Sequence, residues 1–63
     1  MPLAQISIMK GRSKTAKEAL IREVTDAICN SLGARREAVR VIINEVEKSH
    51  WGIGGETAEN LGR

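Results

Sequence analysis

The candidate chemistry in this chain begins at its second residue. Met1 precedes Pro2, and methionine aminopeptidases trim an initiator Met that stands before a small residue. The trimmed chain would start with a proline whose nitrogen is a free secondary amine. That amine can work as a base or nucleophile if its surroundings pull its pKa below the ordinary α-amino value near ~8. Left as an interior residue, Pro2 sets a backbone angle and little else.

Two arginines could supply such surroundings. Arg12 falls in a loop after the first alternating segment, where functional groups concentrate, although a solvated arginine is the commoner use of such a position. Arg40 interrupts a β-branched run, so its guanidinium needs an anion, a partner subunit or the sheet edge. An intersubunit ion pair with Glu45 or Glu56 would serve it equally well. A guanidinium about 6 Å from an amine, at an effective dielectric near 20, disfavours the protonated form by roughly 3 kcal/mol. Dehydration by apolar walls acts in the same direction. The same charge stabilises an enolate as it forms, and this chemistry needs no metal or cofactor.

Trp51 is the only aromatic residue, and its type packs interfaces more often than it meets substrate. The glycines after it do not form a nucleotide-binding fingerprint. Cys29 has no basic neighbour four positions away to activate it. A single cysteine and a single histidine (His50) make neither a disulfide nor a structural zinc site.

The elements that must carry these residues follow from periodicity. Leu3 to Met9 alternate, with Ala4, Ile6 and Ile8 on one side and Leu3, Gln5, Ser7 and Met9 on the other; this predicts a strand. Lys10-Gly11-Arg12 reads as a loop and Ser13 as a helix N-cap, without the glutamate of a capping box at Ala16. A helix is predicted over 14–32, with Ala16, Leu20, Val24, Ala27, Ile28 and Leu32 on its apolar face and Ile21 widening it. The polar face carries Lys14, Lys17, Glu18, Arg22, Glu23 and Asp26, and Gly33 ends the helix. After a link over 34–38, the run Val39 to Val46 predicts a second strand, parallel to the first in a right-handed βαβ unit. Gly52, Gly54 and Gly55 predict a short hairpin or irregular flap, and residues 56–63 one loose helical turn.

Sixty-three residues make one domain, 1–63, and a marginal one. Chains near this size bury only about 60% of the surface they expose when unfolded, and small proteins offset that with disulfides, metals or oligomerisation. Here oligomerisation remains. One βαβ unit covers one sheet face, leaving apolar surface and an open edge for partners. The net charge of +2 is mild, and the basic runs Lys10, Arg12, Lys14, Lys17 and Arg35, Arg36, Arg40 are interleaved with acids. With one aromatic residue there is no stacking platform for single-stranded nucleic acid. No apolar run approaches the roughly 20 residues of a membrane span and the N-terminus lacks signal-peptide character. A lone thiol fits a reducing compartment, so a cytoplasmic protein is expected.

Taken in register, these residues resemble the 4-oxalocrotonate tautomerase family over the whole chain. The resemblance is carried by the Met-Pro start with PLAQISIM, Gly11-Arg12-Ser13, the helix segment Leu20 to Val24, Val39 to Ile43, and Gly52-Ile53-Gly54-Gly55-Glu56. It implies an α/β protomer, β-α-β with a short C-terminal hairpin, assembled as a homo-hexamer (a trimer of dimers), with a mixed oligomer as the alternative. It also implies an isomerase of aromatic hydrocarbon catabolism. Pro2, freed of Met1, would be the general base interconverting a 2-hydroxymuconate-like dienol and an unsaturated 2-keto acid. Arg12 would hold the distal carboxylate and Arg40 the keto-acid end, each delivered by a neighbouring subunit. Trp51, where the family usually has Phe, and Met9 would line the pocket. Ser7 and Gly62 also depart from well-known relatives, which often carry His and Arg there. Related enzymes hydrate or dehalogenate unsaturated acids with an acidic residue that activates water, for which Glu45 and Glu56 are the candidates.

Overall fold

The computed structural model describes all of residues 1–63. Strand β1 spans Leu3–Met9, helix α1 Lys14–Leu32 and strand β2 Arg40–Val46. Strands β3 (Gly52–Ile53) and β4 (Glu56–Thr57) follow. Single 3-10 turns at Arg36–Ala38 and Lys48–His50 bracket β2. The predicted β-α-β protomer with a C-terminal hairpin is what the chain forms.

Strands β1 and β2 pair in parallel, with Leu3 opposite Arg40 and Met9 opposite Val46. Both strands are seven residues long, so they start level and finish level. The pairing runs one bond past each end: Arg40 N donates to Pro2 O at 3.0 Å, and Lys10 N donates to Val46 O at 2.9 Å. These two bonds fix where Pro2 and the Lys10–Arg12 loop sit relative to β2.

Local signals set the helix. The Ser13 hydroxyl accepts from Ala16 N at 3.1 Å, a cap of the kind worth about 1 kcal/mol. Gly33 ends the helix in the left-handed region at φ 68°, its N–H donating to Cys29 O, a conformation that costs any residue with a Cβ.

Side-chain alternation now has a direction. Ala4, Ile6 and Ile8 of β1, with Val41 and Ile43 of β2, are half-buried beneath α1, while Leu3, Gln5 and Ser7 face outward. On the helix, Leu20, Val24 and Ile28 are half-buried. Ala16, Ala27, Ile21 (41% exposed) and Leu32 (69% exposed) stay exposed, because a two-stranded sheet is narrower than the helix's apolar stripe. One assignment is corrected. Lys17, expected on the polar face, reaches the sheet and pairs with Glu45 of β2 at 2.9 Å, since its long apolar stem can cross the layer while the ammonium finds a carboxylate.

The hairpin also follows its glycines. Gly54 and Gly55 connect β3 to β4 with φ of 58° and 92°, the two positive values a primed two-residue turn requires. Residues 56–63 divide between β4 and a succession of turns, rather than forming one helical turn throughout.

Only Val39 and Ala58 are buried. The radius of gyration is 14.5 Å and the extents are 42 × 23 × 13 Å, against about 11 Å for a compact chain of this length. Leu3 (55%), Ile42 (43%) and Leu61 (45%) stay open to solvent. Such a chain has surfaces to be covered and little core of its own. No helix is long and apolar enough to cross a membrane.

Candidate active site

The two ends of the β1–β2 sheet carry different parts of the predicted chemistry. At the starting end, Pro2 is half-buried behind Met1, which is 86% exposed. Arg40 lies beside it through the backbone bond to Pro2 O. The Arg40 guanidinium is held by backbone carbonyls, with Nη1 donating to Glu37 O at 2.7 Å and to Val39 O at 3.3 Å. Glu37 lies in the 3-10 turn at Arg36–Ala38, and Val39 is the extended residue that ends it.

At the finishing end, Met9 and Arg12 line a cleft of about 260 Å³ with Lys10, Gly11, Lys48 and Arg63. Arg12 also borders a smaller cavity, about 130 Å³, against Ile8, Ala16, Lys17 and Leu20. Because the parallel strands end level, the loop after β1 and the turn after β2 meet here, as loops at the carboxyl ends of parallel strands do. Trp51 is half-buried at the exit of the Lys48–His50 turn, its carbonyl accepting from Ala58 N at 2.7 Å.

Within one chain these groups do not converge. Seven strand steps separate Pro2 from Met9, which at the rise of a strand is roughly 23 Å. Arg12 borders cavities with Met9 and with Ile8, so it belongs to that far end, beyond the reach of an arginine side chain. Pro2 and the backbone of Arg40 share one end; Met9, Arg12 and Trp51 share the other.

The electrostatics show which acids are engaged. Glu45 is paired with Lys17. The Glu56 carboxylate accepts from Asn60 Nδ2 at 2.9 Å and Thr57 N at 3.1 Å, and the Asn60 bond first, then the Thr57 bond, hold its pKa below the usual glutamate value. Neither lines the cleft. Lys10 donates to Glu47 at 2.6 Å; that bond raises the lysine's pKa and lowers the glutamate's.

Residues 2–60 match the family model described as "Tautomerase enzyme". The chain belongs to the tautomerase family. A 2-hydroxymuconate tautomerase from Stutzerimonas stutzeri is 59% identical, and one from Pseudomonas putida 57%, each over 100% of both chains. A 4-oxalocrotonate tautomerase isozyme of Methylibium petroleiphilum superposes with a TM-score of 0.95 at 48% identity, covering 98% of this chain and 100% of its own. A heterohexameric 4-oxalocrotonate tautomerase from Chloroflexus aurantiacus J-10-fl gives a TM-score of 0.92 at 34% identity, covering 97% and 98%. This tautomerase is therefore an enzyme of the isomerase class, with a 4-oxalocrotonate tautomerase fold.

Lys48 and Arg63 of the cleft were not singled out by the sequence pattern. Lys48 sits in a charged link and Arg63 in a polar tail, and neither has a periodic context. The usable signal was the equal length of the two strands, which brings the segments following them to the same end.

Proposed function

We propose that this tautomerase interconverts a 2-hydroxymuconate-like dienol and its unsaturated 2-keto acid, with Pro2 as general base once Met1 has been removed. The observation that carries the reading is 59% identity over the full length of a protein of that activity, together with a Pro at position 2. The exposure of Met1 leaves it open to an aminopeptidase. The secondary amine of Pro2 takes the proton of the enol hydroxyl, and the electron pair left behind spreads along the conjugated chain as a dienolate. The resulting ammonium returns the proton at a distal carbon, so one O–H bond is exchanged for one C–H bond and the substrate's composition is unchanged. Arg40 binds the carboxylate and oxygen at the keto-acid end. Arg12 binds the distal carboxylate and draws charge toward it, and Met9 and Trp51 form the apolar wall.

Assembly is part of this reading. With Pro2 and Arg12 at opposite ends of β1, a working site takes Arg12 from another copy. We infer a homo-hexamer arranged as a trimer of dimers, supported by the exposed apolar faces. The heterohexameric relative supports a mixed ring, with a non-catalytic chain, as the second form. A cytoplasmic enzyme of aromatic hydrocarbon catabolism fits such a substrate. The hydratase or dehalogenase reading is not favoured, because Glu45 and Glu56 are both held by other partners.

Steady-state ketonisation of the dienol by wild type, Pro2→Ala, Arg12→Ala and Arg40→Ala tests the assignment. Large losses are expected in all three variants. Near-normal rates in all three, or halide release from a 3-haloacrylate in preference to ketonisation, would overturn it.

A further inference from the structure

The cleft at the finishing end of the sheet is more basic than one arginine requires. Of its six lining residues, Lys10, Arg12, Lys48 and Arg63 have cationic side chains and none has a carboxylate side chain. Lys10 is neutralised by Glu47. The chain's other two ion pairs, Lys17 with Glu45 and Arg36 with Asp26, lie outside the cleft. Arg12, Lys48 and Arg63 therefore face one cavity with no carboxylate side chain paired to any of them. Like charges gathered this way repel until an anion enters between them.

Their backbones are held. Lys48 opens the 3-10 turn that follows β2, and its carbonyl accepts from Glu59 N at 3.2 Å. Arg63 N donates to the carbonyl of Ala58 at 2.9 Å, and Ala58 is fully buried. Both ends of the 48–63 segment are thus fastened at Ala58 and Glu59, just past β4. At about 260 Å³ the cleft is slightly smaller than the roughly 300–1,000 Å³ of sites that enclose whole drug-sized ligands. It suits a small acid, or one end of it.

We propose that Lys48 and Arg63 are specificity residues which, with Arg12, grip the distal carboxylate and make the enzyme select dienol diacids over monoacids. The proposal rests on the tautomerase reaction proposed above and names the groups that set its substrate class. An exposed ion pair changes affinity by no more than about fivefold, which sets the scale of what Lys48 and Arg63 each add to Arg12. Three cations around one carboxylate discriminate more than one does.

The test uses the assembled enzyme with two substrates, the dienol diacid and the corresponding dienol monoacid that lacks the distal carboxylate. Lys48→Ala and Arg63→Ala should each raise KM for the diacid by up to about fivefold, with a much smaller change in kcat. The preference in kcat/KM for diacid over monoacid should fall by the same factor, further in the double variant. Lys48→Arg should restore most of the preference, and added salt should raise the diacid KM more in wild type than in the double variant. An unchanged preference in variants that keep wild-type size and still turn over the monoacid would overturn the proposal while leaving the reaction standing. Wild-type turnover of neither acid would overturn the reaction, and this assignment with it.

Discussion

The two ends of the β1–β2 sheet differ in what they lack. The starting end has the prospective base, Pro2, and the backbone of Arg40 bonded to it, but neither residue lines a cavity of the single chain. The finishing end has the cavity and its cations, but no carboxylate side chain or imidazole lines it to take a proton. Each end is incomplete in the way the other would repair, and a seven-residue strand keeps them apart within one chain. The fold has the same character, with two buried residues and an apolar helix stripe wider than its sheet. Under the proposed reaction, catalytic incompleteness and structural incompleteness would have one remedy, a second copy.

The largest expected effect falls on the starting end. Blocking the Pro2 amine, by retaining Met1 or by acetylation, should cost about 10²- to 10⁴-fold in kcat, the usual range for general acid–base catalysis. Pre-steady-state turnover of samples sorted by intact mass would show it. Next come the arginines. Arg40→Ala and Arg12→Ala should each lose about 10²- to 10³-fold in kcat/KM. If the two ends serve different halves of the substrate, only Arg12→Ala should lose less on a monoacid than on a diacid.

Smaller effects probe the scaffold that holds the ends apart. Ser13→Ala should lower stability by about 1 kcal/mol through loss of the helix cap, measurable by urea unfolding at fixed protein concentration. The mildest is a pH effect at the hairpin. The folded-state pKa of Glu56 lies below its ordinary value because Asn60 and Thr57 donate to it. Its contribution is therefore present above the unfolded glutamate pKa and is lost as pH falls through the depressed folded value. The protection factor of the Thr57 amide, which donates to Glu56, should fall on acidification once the slower intrinsic exchange at low pH is divided out, and Glu56→Gln should flatten that response.

Much of the fold was legible in the sequence because each element carries its own local signal. Alternation in Leu3–Met9, Ser13 and Gly33 at the helix ends, and the paired glycines at 54 and 55 are each enforced by the backbone nearby. What the pattern misplaced was decided across layers. Lys17 lies on the polar face by helical period, yet pairs with Glu45 because β2 presents a carboxylate within its reach. Likewise Ala27 and Leu32 belong to the apolar face by period, but the sheet beneath is too narrow to cover them. For the proposed site, Pro2 stood out by following Met1, Arg12 by its place in a loop and Arg40 by interrupting a β-branched run. Lys48 and Arg63 did not, since a lysine in a link and an arginine in a tail are ordinary until level strand ends bring them to one cleft.

The central claim is that Pro2 and Arg12 act together from different chains, and subunit mixing tests it most directly. Pro2→Ala and Arg12→Ala, each nearly inactive alone, are unfolded together in equal amounts and allowed to reassemble. Random assembly would leave about a quarter of the sites with both native residues if these come from two copies. The mixture should then recover about a quarter of wild-type activity. A mixture no more active than the average of its two inactive parents, at wild-type oligomer size, would contradict the account.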